Sequence, residues 1–311
     1  MEILEVTASQ YKAVINNPIQ NFNSAEFSDL NKAKCDAVYY LLFKDSKYRL
    51  GITFGVRNNI LLTPFSASFG GFEFVYDDIK LYQIDAAIEA LVSWAKQNKF
   101  NGIKILPPPA FYSPNFTAKI RNCLYRAGFE TKNVEVNYHF ETHNLNDNYL
   151  QNIWYNARKN LNKSLKNDLK FIKLAPEDSH KAYEVIAQNR SERGFPLRLT
   201  FEQLQETGTI VPIDYFLVSN PENNVAAAIV FHLSKTIVRV VYWGDLPKFS
   251  ELKTMNFLSY NVFQYYKEIQ ISFIDIGHST VDSVPNHGLC EFKESIGCSI
   301  GLLNEYYKEI N

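Results

Sequence analysis

The chain has 311 residues, about twice the ~150-residue scale of one domain, so two domains are expected, each long enough to bury its own core. Lys and Arg number 32 against 33 Asp and Glu; the formal charge of -1 excludes a surface given over wholly to nucleic acid, and DNA is not an expected partner. No stretch approaches the ~18 apolar residues of a membrane span, so no membrane insertion is expected.

The N-terminus, MEILEVTASQYKAVINN, has no basic region followed by an apolar run. Cys35, Cys123, Cys290 and Cys298 are too few and too scattered for a disulfide framework. Both features point to the cytoplasm. Residues 1 to about 34 read as short helical patterns broken by Asn-rich stretches, with one helix ending at Val14-Ile15 before Asn16-Asn17-Pro18.

Val38 to Phe43 and Tyr48 to Val56 are rich in β-branched and aromatic residues around a polar turn, and Ile60 to Leu62 follows, which predicts a three-strand meander. Thr63 to Phe72 is a loop whose Gly70-Gly71 pair permits positive φ and close approach by another group, or simply a tight turn. Ile84, Ile88, Leu91, Val92 and Ala95 fall at helical spacing; Gly102 to Leu106 is a strand ended by prolines, Asn115 to Ala127 a helix stopped by Gly128, and Val134 to Phe140 an alternating strand. A polar stretch, Glu141 to Asn148, separates domains expected at 1–143 and 144–311.

The second half opens with a predicted basic helix from Leu150 to Lys166, its core stripe Ile153, Ala157, Leu161 and Leu165 and its other sides crowded with Arg158, Lys159, Lys163 and Lys166. Such a face is either solvated or neutralised by an anion. Arg190 to Pro196 is a polar, hinge-like linker able to face a ligand. Asp214 to Ser219, Val225 to Leu233 and Thr236 to Trp243 form a second meander, followed by a helix from about Leu252 to Lys267 and a strand into Asp275. This arrangement parallels the first half and implies duplicated architecture: an α/β chain with mixed sheets covered by helices.

The stretch Phe273 to Cys298 is the most specific signal. An apolar strand ends in Asp275-Ile276-Gly277, a polar loop follows, and the apolar pattern resumes as Gly288-Leu289-Cys290-Glu291-Phe292-Lys293 before Gly297. The wording resembles the Fem-type aminoacyltransferases and related tandem GNAT-like N-acyltransferases, where Asp-hydrophobic-Gly is followed by Gly-hydrophobic-x-x-Phe-Lys-x-x-hydrophobic-Gly. Arg158 to Ser164 is similar to a basic helix of the same proteins, and the Pro64-to-Gly71 loop to one of theirs.

The resemblance implies two tandem GNAT-like domains. It also implies transfer of an acyl or aminoacyl group to an amine of a peptidoglycan precursor or small metabolite, with acyl-CoA or aminoacyl-tRNA as donor and tRNA as an optional partner. By the same resemblance Lys293 stabilises developing negative charge and Phe292 lines the site, while Arg158 and Lys163 hold anionic parts of the substrate. The residues themselves leave alternatives open. Lys293 is otherwise a solvated lysine beside Glu291 and Glu294, and Asp275, a carboxylate ending a buried strand, either has a catalytic role or caps the next turn. His278 is a base near neutral pKa or an idle loop residue; Tyr242 and Trp243 stack on a ligand or fill the core.

His278, His287, Cys290 and Cys298 fit no zinc spacing, so no metal is expected. The Arg/Gln-x-x-Gly-x-Gly/Ala pattern that cradles the CoA pyrophosphate is missing around Tyr242 to Ser250, which weighs against standard CoA binding. A GNAT-like sheet also parts two central strands to receive its donor, a feature that side chains do not reveal. The rival expectation is a non-catalytic binding module on the same fold.

Overall fold

The structure is a computed structural model and describes residues 1–310. It comprises two compact units, 1–136 with 301–310, and 137–300. These bounds differ from the expected 1–143 and 144–311: the chain changes unit inside a long strand, and its last strand returns to the first unit.

The first unit begins with β1 (Glu2–Val6), α1 (Ala8–Val14) and α2 (Ala25–Leu30), then β2 (Ala37–Lys44), β3 (Tyr48–Arg57), β4 (Ile60–Thr63) and β5 (Glu73–Phe74). Next come α3 (Leu81–Gln97), β6 (Gly102–Ile105), α4 (Pro114–Arg126) and the start of β7 (Glu130–Glu141). The N-terminal reading missed β1, which pairs antiparallel with β2, Glu2 opposite Lys44. Five residues ending at the Thr7 capping box are too short to separate from a helical pattern by periodicity.

The second unit contains α5 (Tyr149–Asn152), α6 (Tyr155–Ser164), β8 (Lys170–Lys173), α7 (Ser179–Glu192) and α8 (Phe201–Gly208). It continues with β9 (Ile213–Ser219), β10 (Asn224–His232), β11 (Ile237–Asp245), α9 (Thr254–Glu268) and β12 (Phe273–His278). The hairpin β13 (Thr280–Val281) and β14 (Val284–Pro285) leads into α10 (His287–Ser295) and then β15 (Ser299–Glu309).

One local expectation is corrected and one open stretch is defined. The helix predicted over 150–166 breaks at Ile153 and Trp154, both extended, because Ile153 is buried and the Trp154 amide donates to the Ser295 carbonyl at 3.1 Å. The apolar run resuming at Gly288 is a helix: Asn286 caps it by accepting from the Leu289 amide at 3.1 Å, and Leu289, Phe292, Lys293 and Ile296 recur at i, i+3, i+4 and i+7.

In the first unit the strand order is β1-β2-β3-β4-β6-β15, with β5 also on β3; β4 and β6 are parallel and joined through α3. One face is covered by α3 (Ile84, Ala87, Ile88, Leu91) and α4 (Phe116, Ile120, Leu124), and the other packs Tyr11, Ile15 and Ala25 on Tyr40 and Leu42. In the second unit the order is β7-β12-β11-β10-β9-β8, with β11 and β12 parallel and joined through α9. Val225 to Phe231 of β10 are buried without interruption, as a strand covered on both faces must be. Both units therefore contain a meander followed by a parallel crossover, the repeat of architecture that the sequence implies.

Candidate active site

The parallel strands of the second unit part company. Register between β11 and β12 covers Ile237 with Phe273, Val238 with Ile274, and Arg239 with Asp275; β11 then runs on to Asp245 and β12 to His278 without further pairing to each other. The result is a fork, with Arg239 and Asp275 at its apex.

The apex is polar and dry. Asp275 is fully buried; its Oδ2 accepts from Arg239 Nη1 at 2.5 Å, and its Oδ1 accepts from Asn137 Nδ2 at 3.0 Å and the Gly277 amide at 2.9 Å. A carboxylate taken out of water needs such partners, and here a guanidinium and two N–H groups supply them. The last of these is the turn-capping role expected of Asp275. Arg239 is buried as well, so the pair bridges the two strands where their ladder stops.

Beyond the apex β12 is bulged. On its other edge the register with β7 shifts between Asp275, opposite His139, and Gly277, opposite Tyr138. Gly277 takes φ +79°, and a Cβ there would stand 3.3 Å from Arg239 Nη2. Glycine is needed on both counts.

Lys293, one turn from the end of α10, reaches into this bulge. It is 2% exposed, and its Nζ donates to the carbonyls of Ile276 (3.2 Å), Gly277 (2.8 Å) and His278 (3.3 Å). Its Nζ also lies 5.2 Å from the centre of the Tyr138 ring. Lys293 is therefore not the solvated lysine that its acidic neighbours allow. Burial lowers its pKa to about 8, against the attraction of nearby Cys298 and Asp275, which favour the charged form. The ammonium still holds most of its charge at neutral pH.

Phe292 and Trp243 meet edge to face, with ring centres 6.1 Å apart. His278 ends β12 with an exposed side chain. Asp275 thus stands at the apex of the fork, Lys293 reaches the β12 backbone just beyond it as far as His278, and Phe292 meets Trp243 of β11. Tyr242, the preceding residue of β11, alternates to the opposite face; its hydroxyl accepts from the Leu199 amide at 3.2 Å and its ring lies 5.4 Å from the Arg190 guanidinium.

Arg158 and Lys163 are engaged elsewhere. Arg158 donates to the Leu150 carbonyl at 3.3 Å and Lys163 pairs with Glu251 at 3.3 Å, both on the surface of α6. Gly70 and Gly71 belong to the first unit. There the Gly70 amide donates to the Leu106 carbonyl at 2.8 Å, a Cβ on Gly70 would stand 2.8 Å from Thr63 Oγ1, and Gly71 has φ +128°. The geometry of this pair is accounted for by the hydrogen bond to Leu106 and the close packing on Thr63 and Pro64. Among the described residues no cluster of His, Cys, Asp or Glu is arranged to hold a metal.

Sequence reading missed Arg239, Asn137 and Tyr138. The available signals were an arginine inside the apolar run Ile237 to Val241 and an asparagine in an alternating strand. Arg190, from the linker singled out for ligand contact, has its guanidinium between Tyr242 and Phe195, 5.8 Å from the latter; its buried Nε lacks a partner among the described residues. Burial lowers its pKa.

At the far end of β11, Asp245 is buried, with Oδ1 3.1 Å from Arg193 Nη2 and Oδ2 accepting from Thr254 Oγ1 at 2.7 Å. Thr254 is the first residue of α9. A carboxylate therefore stands at the start of the helix that would otherwise be the place for a donor pyrophosphate.

No family model and no curated protein matches the sequence. Solved structures do match. FemX superposes with a TM-score of 0.73 at 13% identity over 100% of this chain and 98% of that one. L-PGS from Bacillus licheniformis gives 0.60 at 12% identity, covering 96% and 91%. A tandem GNAT protein from the clavulanic acid biosynthesis pathway gives 0.54 at 8% identity, covering 100% and 98%. With its mixed α/β sheets, duplicated crossover and forked strands, the chain has the fold of the Fem-type, tandem GNAT-like aminoacyltransferases.

Proposed function

We propose that the chain moves an acyl or aminoacyl group from an activated donor to an amine of a cell-wall precursor or small metabolite, at the open end of the β11–β12 fork. The observation that carries this reading is a buried cation, Lys293, standing on three carbonyls where two parallel strands separate. The similarity to FemX and to a tandem GNAT protein supports the reaction class. Fold alone does not choose a substrate.

In this reading the donor lies extended along the edge of β11 that β12 leaves beyond Arg239, and its backbone-like groups continue the ladder. The acceptor nitrogen attacks the donor carbonyl carbon, the bond to the carrier breaks, and the carrier departs with the electron pair. The surplus proton of the amine passes to a base, and His278 is placed at the fork to take it. The Lys293 charge, fixed in a dry site before the reaction begins, offsets the negative charge gathering on the carbonyl oxygen. The Asp245 carboxylate occupies the Thr254 hydroxyl at the start of α9 and is itself paired with Arg193, so this end of β11 does not choose between an aminoacyl ester and a CoA thioester.

A second reading rests on one observation. An ammonium has three donors, and all three of Lys293 are used within the protein, as in a structural staple of a non-catalytic binding module. Transfer of a radiolabelled acyl group from acyl-CoA or aminoacyl-tRNA to amine acceptors separates the two. Lys293→Met should lower the rate by about 100- to 1,000-fold, the usual effect of removing a charge-stabilising donor. His278→Ala, an exposed change, should remove the acid limb of the pH–rate profile. A transfer activity that both variants retain would overturn the roles given to Lys293 and His278, and the absence of transfer from either donor would leave only the binding module.

A further inference from the structure

One surface is left unused by this chemistry. From Tyr149 to Asn167 the sequence holds Arg158, Lys159, Lys163 and Lys166 and no acidic residue, in a chain whose formal charge is -1. The structure places these cations along α6 and its C-terminal turn, and of the four only Lys163 has an acidic partner among the described residues, Glu251.

The same face exposes apolar groups. Trp154 is 49% and Tyr155 67% exposed, and Leu150 and Leu165 are exposed as well. At 100° per residue, Tyr155, Lys159 and Asn162 share the outer face of α6, with Arg158 between them and the buried stripe of Ala157 and Leu161; Trp154 and Leu165 cap the two ends and Lys166 follows. Arg158 lies 5.8 Å from the Tyr155 ring, so an aromatic and a basic group adjoin. Exposed aromatic and aliphatic side chains at the ends of a helix rich in cations make the pattern of a helix that rests in a membrane interface.

We propose that this face of α6 docks on the anionic surface of a lipid bilayer. The cations approach acidic headgroups, and Trp154, Leu150 and Leu165 enter the headgroup region. Charge complementarity selects an anionic partner, and the exposed leucines select a bilayer over RNA, because phosphate contacts give an aliphatic side chain nothing to bury against. The inference is independent of the transferase reading, since none of these residues lies at the fork.

The full chain, incubated with sucrose-loaded vesicles of 3:1 phosphatidylcholine and phosphatidylglycerol, should sediment with them and should stay in solution with pure phosphatidylcholine. Trp154 is the exposed tryptophan, so its emission should shift to the blue on binding. Lys159→Gln with Lys166→Gln should weaken binding by about 30-fold, each juxtamembrane cation contributing roughly fivefold. Trp154→Ser should abolish the blue shift while the melting temperature holds. Absence of sedimentation with the anionic vesicles, or binding indifferent to the paired lysine change, overturns the proposal. So does displacement from the vesicles by a short single-stranded RNA that binds the same lysines more tightly.

Discussion

The two units solve the same crossover in opposite ways. In the first, β4 and β6 pair over their whole length, from Ile60 with Gly102 to Thr63 with Ile105. The ladder then continues: the Leu106 amide donates to the Thr63 carbonyl and the Gly70 amide to the Leu106 carbonyl, both at 2.8 Å. In the second, the ladder between β11 and β12 ends after three residue pairs. One crossover is sealed by backbone, and the other is left unpaired beyond the Arg239–Asp275 pair.

Their buried carboxylates differ in the same sense. Asp275 is matched by Arg239. Glu73, 1% exposed on β5, has only N–H donors: Ile19 at 2.7 Å and Asn23 Nδ2 at 2.6 Å. Burial raises the Glu73 pKa to about 8, so it is stored mainly as the neutral acid.

The largest test of this contrast is Asp275→Ala, which leaves Arg239 buried without its anion. A loss of about 3–5 kcal/mol is expected from chemical denaturation. A loss below about 1 kcal/mol would show that something other than the ion pair holds the fork. Gly70→Ala, which places a methyl group 2.8 Å from Thr63 Oγ1 and 3.1 Å from the Pro64 nitrogen, should cost about 1–3 kcal/mol in chemical denaturation.

The smallest effect per step is in pH. Because the folded pKa of Glu73 lies above the unfolded value near 4.5, the native state keeps a proton that the unfolded chain releases. Its contribution is complete below pH 4.5 and is lost as pH rises to about 8, with a slope of at most ~1.4 kcal/mol per pH unit. Melting curves from pH 5 to 8 should slope downward in the native protein and flatten in Glu73→Gln. An unchanged slope would assign the effect to another group.

Much of this was legible beforehand. The meanders, α3, α4 and α9 follow from alternation and helical spacing, because burial of one face writes itself into the sequence. The Asp275-Ile276-Gly277 and Phe292-Lys293 motifs located the fork. What stayed hidden depends on pairs distant in the chain. Nothing around Arg239 names Asp275 as its partner, and nothing around Lys293 shows that three carbonyls will take up its protons. The fork itself is a missing set of backbone bonds, which no side chain records. Lys163 misled for the same reason, since its partner Glu251 lies on a separate helical turn.

The return of the last strand has a consequence for how the molecule is born. Tyr306 to Glu309 complete the sheet against Ile105 to Gly102, on the order of 200 residues after those partners leave the ribosome. At 5–20 residues per second the exposed edge of β6 must wait about 10–40 s for its mate. The first unit is thus committed to a long nascent life with an unpaired margin, and its sheet closes only once Tyr306 to Glu309 have been made.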